Sequence, residues 1–100
     1  MNAFIHGLCL ACALGMALPA NAAIKVLATT SDWGSLVTEL GGDKVNVYTA
    51  TSPLQDVHRV DAKPSLVARA RSADLIVATG AELEIGWLPP LVQQCRNARI

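Results

Sequence analysis

DAKPSLVARARSADLIVATG, residues 61–80, is the stretch whose reading decides the fold. Pro64 suits the first turn of a helix, where its missing N–H is harmless, and PSLVARARSA continues as that helix. DLIVATG then runs apolar without alternation, as a strand covered on both faces of a parallel sheet does; it is predicted near the centre of the sheet. Upstream, KVNVYTAT alternates Val45 and Val47 with polar neighbours, the pattern of an edge or half-covered strand. Before it, SDWGSLVTELGG places Trp33, Leu36, Val37 and Leu40 at helical spacing. Ser31 is the expected N-cap, Asp32 suits the positive end of the helix dipole, and Gly41–Gly42 stop the helix. Gly34 inside it costs up to about 1 kcal/mol against Ala. IKVLATT, from Ile24, is β-branched and apolar, a buried strand. Downstream, AELEIG reads as a loop and WLPPLVQQCRNARI as a helix with Pro89 and Pro90 in its first turn. The order is β-α-β-loop-α-β-loop-α, so the fold class is α/β, a parallel sheet flanked by helices.

The first 23 residues contain no Lys, Arg, Asp or Glu. Their apolar run LCLACALGMALPA is short for a bilayer span and leads to Ala20-Asn21-Ala22, an A-x-A pattern. Residues 1–22 therefore read as a secretory signal peptide, although its start carries only His6 where Lys or Arg is usual. An uncleaved anchor and an inert apolar leader are the alternatives. A lipoprotein reading of Cys12 is weaker, because no Leu stands at the third position before it. With the leader go Cys9 and Cys12. Cys95 then remains alone in an oxidising compartment, unpaired or awaiting an outside partner.

Residues 23–100 form one α/β unit. About 78 residues bury little more than about 60% of their unfolded surface and are marginal without staples. The chain reaches NARI while still building, which reads as part of a larger protein. Eight basic side chains balance eight acidic ones, and nothing clusters as a polybasic tract, so nucleic acid is excluded as a partner.

Ligands of an open α/β sheet bind beyond the carboxyl ends of its strands. The loop 51–63 leaves the second strand there, TGAELEIG leaves the third, and Thr29-Thr30-Ser31 leaves the first. His58 sits in the first of these loops. Neutral imidazole is the commonest side-chain ligand of zinc and related ions. Asp56 or Asp61 can accept its other N–H and fix the tautomer. Glu84 is a further candidate to support the ligand, and Asp56, Asp61, Glu82 and Glu84 are possible extra oxygens. On base rates a lone loop histidine is more often simply solvated, and a zinc site needs three or four protein ligands. Other chemistries lack a motif. Gly41–Gly42 closes a helix where a phosphate loop would open one, and neither G-x-S-x-G nor H-E-x-x-H occurs. Trp33 and Trp87 read as packing residues, and Arg69 and Arg71 as the solvated face of their helix. An enzyme using Asp56 or Glu84 as acid-base groups would need a perturbed carboxylate in a closed pocket.

Taken together, Asp56-Val57-His58, Asp61-Ala62-Lys63-Pro64-Ser65, Ala73-Asp74-Leu75 and the run Gly80–Trp87 form a specific pattern. It resembles the periplasmic metal-binding proteins of zinc and manganese ABC transporters, the cluster A-I or zinc-uptake-type solute-binding proteins. The resemblance spans nearly all of residues 23–100. It implies two α/β lobes joined by a long helix, with the metal in the cleft between them, and makes this chain the N-terminal lobe. It also implies that His58 is the first metal ligand, with the others, two further histidines and a carboxylate or a His-Glu-Asp variant, coming later than Ile100. Val57 departs from the family, which often has Pro before the ligand. The implied function is not catalysis. It is periplasmic capture of zinc, or manganese, for delivery to an ABC permease, with the membrane reached only through that permease. The alternative is a structural fragment that binds no metal.

Overall fold

The computed structural model describes residues 22–100; the expected leader, 1–22, lies outside the described residues except for its last position. β1 (Ile24–Ala28) is the middle strand of a three-stranded parallel sheet, between β2 (Val45–Thr49) and β3 (Leu75–Val77). The order is β2-β1-β3, with Leu27 opposite Tyr48 on one side and Ile76 on the other. Among the described residues three α-helices connect or follow the strands, α1 (Ser31–Gly41), α2 (Pro64–Ser72) and α3 (Leu88–Cys95), and a single 3-10 turn, Gly42–Lys44, leads from α1 into β2.

The sheet's two faces follow from the alternation of side chains along a strand. Leu27, Tyr48 and Ile76 share one face, and there they meet Leu66 and Ala70 of α2 and Leu91 and Cys95 of α3. This is the core, closed by Ala73 and Trp87. Val26, Ala28, Val47 and Thr49 share the other face, which α1 covers from the β2 side. Gly34 is the contact point: a Cβ there would run into the Thr49 hydroxyl. The glycine that weakens the helix in isolation lets it lie close on the strand.

Several expectations are adjusted by the structure. DLIVATG does not occupy the centre. β3 is three residues long, pairs only with β1 among the described residues, and leaves Leu75 half exposed. An apolar run reports burial but not sheet order, and the central position belongs to β1, whose Val26, Leu27 and Ala28 are all buried. Ser31 is the first helical residue, not the cap. Thr30 is the N-cap, extended, with no capping bond from its side chain. Gly42, at φ 54°, ends α1 by donating its N–H to the Thr38 carbonyl. α3 stops at Cys95 because Arg96 turns left-handed (φ 51°, ψ 42°). Asn97 is then free to cap another helix, its Nδ2 donating to the carbonyls of Ala70 (3.0 Å) and Ala73 (2.7 Å) at the end of α2. Cys95 is a free thiol in the core, so pairing it with an outside cysteine would require α3 to unpack.

Candidate functional site

The carboxyl ends of the three strands are stitched together by side chains. Thr51 Oγ1 donates to the Thr29 carbonyl (2.7 Å), tying the exit of β2 to that of β1. Thr29 Oγ1 donates to Glu84 Oε1 (2.8 Å), tying β1 to the turn after β3. Trp33 Nε1, in the first turn of α1, donates to Thr79 Oγ1 (2.9 Å). Trp87 Nε1 donates to the Val57 carbonyl (2.7 Å), next to His58. All three loops therefore meet at one edge.

His58 projects from this edge with its side chain mostly in solvent. Its loop is shaped locally by Asp56, whose Oδ1 accepts the His58 backbone N–H (2.9 Å) and lies 2.7 Å from Nδ1. The His58 backbone N–H, and then the ring, hold the Asp56 carboxyl below its ordinary value. A carboxylate can only accept, so Nδ1 would be the protonated nitrogen in this contact and Nε2 of the neutral ring would keep its lone pair, the tautomer a metal-ligating imidazole needs.

The other two candidate carboxylates stand elsewhere. Asp61 makes no hydrogen bond to His58; it lines a polar hollow with Tyr48, Arg59 and Lys63, at the start of α2. Glu84 is only 4% exposed, and none of its hydrogen bonds goes to His58. Its Oε1 accepts Thr29 Oγ1 and the Thr79 N–H (2.8 Å each), and its Oε2 accepts the Gly80 N–H (3.0 Å). Burial pushes the Glu84 carboxyl up, but these donors outweigh it and the net direction is down. Glu82 is exposed in the same turn. Among the described residues no group of three or more His, Cys, Asp or Glu side chains converges on a point. The arrangement offers one oriented imidazole, which fits a divalent transition metal as a single ligand.

Sequence reasoning passed over Thr29, Thr51 and the indole N–H of Trp87. A threonine directly after a buried strand is a signal for the first two, since its hydroxyl must find a partner when covered. A tryptophan that is buried likewise needs an acceptor for its N–H.

A parallel sheet with its loops gathered at the carboxyl edge is the α/β arrangement in which ligands bind beyond the strand ends. Residues 26–100 match the family described as ZnuA, zinc-uptake complex component A, periplasmic, and the chain belongs to it. It is 32% identical over 98 residues to the metal ABC transporter substrate-binding lipoprotein FimA of Streptococcus parasanguinis, covering 95% of this chain and 31% of that protein. It is 31% identical over 77 residues to the manganese ABC transporter substrate-binding lipoprotein scaA of Streptococcus gordonii, covering 74% and 25%. The chain thus spans about a quarter to a third of the length of these relatives. Among solved structures, a metal-free periplasmic metal-binding protein from candidatus Liberibacter asiaticus superimposes with a TM-score of 0.64 at 25% identity, covering 68% of this chain and 25% of that one. Zn(II)-bound AdcA from Streptococcus pneumoniae shares the fold with a TM-score of 0.63 at 19% identity, covering 78% and 17%.

Proposed function

We propose that this chain is the N-terminal lobe of a periplasmic solute-binding protein that captures a divalent transition metal and passes it to an ABC permease. His58 Nε2 is the metal ligand contributed by this lobe, and Asp56 fixes the ring. One observation carries the reading: in a chain of the zinc-uptake family, the carboxyl edge of the sheet presents an imidazole whose Nδ1 is already held by a carboxylate. Zinc is favoured over manganese because imidazole suits zinc, whereas manganese prefers oxygen donors. The leader 1–22 directs export, and the remaining ligands come from outside these 100 residues. The chemistry is capture and release, with no bond made or broken in the cargo.

One imidazole cannot hold zinc tightly, since a full ligand set is worth about 10–16 kcal/mol. The 100-residue chain is therefore expected to bind zinc weakly, with the shift confined to the His58 ring resonances. His58→Ala should abolish it. Tight, one-to-one zinc uptake by this chain in calorimetry would show that the site is complete within it. Zinc that leaves the His58 ring unshifted would favour the structural-fragment reading.

A further inference from the structure

We infer that Trp87 and Glu84 are positioning residues for His58. This rests on the reading of His58 as a metal ligand. The loop that carries His58 has no regular secondary structure between β2 and α2. Among the described residues, the hydrogen bonds made within 52–60 are almost all local: Gln55 to Ser52, His58 to Asp56, and Arg59 to Asp56. One alone leaves the segment, the bond from Trp87 Nε1 to the Val57 carbonyl, 2.7 Å long. The peptide that carries His58 is thus pinned by an indole that is itself 5% exposed and packed in the core. Gly86 stands directly behind it: a Cβ there would come within 3.4 Å of the His58 carbonyl oxygen. The turn 80–87 therefore forms the seat on which the ligand loop rests.

That turn is held by Glu84. Gly80, Ala81 and Glu82 are three successive left-handed residues (φ 78°, 54° and 67°), a conformation that disfavours side chains at the last two. It persists where the surroundings over-determine it, and here the Glu84 carboxylate takes the N–H groups of Thr79 and Gly80 while gripping Thr29 at the end of β1. The Glu84 carbonyl in turn accepts the N–H of Trp87 (3.2 Å) and of Leu88 (2.9 Å), setting the indole at the start of α3. A mechanical line thus runs from the central strand through Glu84 and Trp87 to the peptide before His58. It places the ligand without touching the metal.

The test compares Trp87→Phe, which keeps an aromatic ring but loses the N–H, with Leu91→Val, a core change in the helix that follows Trp87 and a residue with no hydrogen bond to the loop. Both are made in the full chain. The readouts are amide exchange at His58 and Arg59 without metal, a zinc titration followed at the His58 ring resonances, and thermal midpoints. Trp87→Phe should speed exchange at both amides and weaken zinc binding, each by about two- to tenfold, the factor that one hydrogen bond of ordinary net strength represents. Leu91→Val should lower the midpoint and leave both readouts unchanged. Glu84→Gln, which sets an amide N–H₂ against a backbone N–H, should reproduce the Trp87→Phe pattern. If Trp87→Phe and Leu91→Val behave alike, or the loop loosens while zinc binding holds, Trp87 is only a core residue and the inference is overturned. His58→Ala separates the underlying reading: unchanged zinc binding in that variant removes the metal role itself, whatever the exchange data show.

Discussion

Glu84 is a carboxylate placed where a small fold can least tolerate an unpaired charge, and it survives there on three donors. Removing the charge leaves backbone N–H groups facing a poorer partner. Glu84→Gln is expected to cost about 1–3 kcal/mol, the penalty of buried groups left unsatisfied, read as a lower urea midpoint. The folded carboxyl sits below its ordinary value of 4.5, so the folded state binds fewer protons than the unfolded one there. Its contribution is complete above the ordinary value and is lost as pH falls through the folded one. Urea midpoints measured downward from about pH 6 should drop more steeply below about pH 4.5 in the parent than in Glu84→Gln. Equal slopes would mean that Glu84 is not the group responsible. These contacts were out of reach of sequence reading because Thr29 and Glu84 are 55 residues apart. The Asp56–His58 contact spans two positions, and for that reason the sequence already suggested it.

At the scale of elements, two side chains decide how helices meet the rest. Gly34→Ala should gain helix propensity, yet lose overall because its Cβ meets the Thr49 hydroxyl. The expected net loss is about 1–3 kcal/mol, as for other overpacked contacts. Thr49→Ala in the same chain should recover most of it; a Gly34→Ala chain as stable as its parent would show that α1 can shift outward freely. Asn97→Ala strips α2 of the donor shared by the Ala70 and Ala73 carbonyls and should cost about 1 kcal/mol, seen as earlier melting. Helices and strands were legible from spacing: Pro64 began α2 and Gly42 ended α1. The order of strands was not, since DLIVATG and IKVLATT are both apolar runs and nothing in either says which has neighbours on two sides. The end of α3 was hidden as well, because Asn97 reaches carbonyls 24 and 27 residues away.

The whole molecule is built unevenly. One sheet face carries the core with α2 and α3, while among the described residues the other is covered by α1 alone, with Leu40 at 79% exposure and Ile24, Leu36 and Leu75 about half exposed. Apolar side chains in water contribute nothing at about 25 cal/mol per Å² of burial forgone. The chain by itself is expected to melt below about 60 °C, in the lower part of the mesophile range, and to enhance the fluorescence of an apolar dye while still folded. A sharp transition above that temperature, with no dye response, would mean that the core face suffices. The general design was nonetheless visible early. A parallel α/β chain places its loops at one edge, and His58 is found there for that topological reason, not because of any property of the histidine itself.

Cys95 gives this molecule a built-in clock. The residue is 1% exposed on α3, in the same core cluster as Leu27 and Leu91, and it is the free cysteine of the described residues. A thiol reagent can reach it only when α3 lifts from the sheet. The labelling rate of the chain with residues 1–22 removed, and with them Cys9 and Cys12, taken at rising reagent concentration, therefore counts those openings directly and reports how often the lobe breathes.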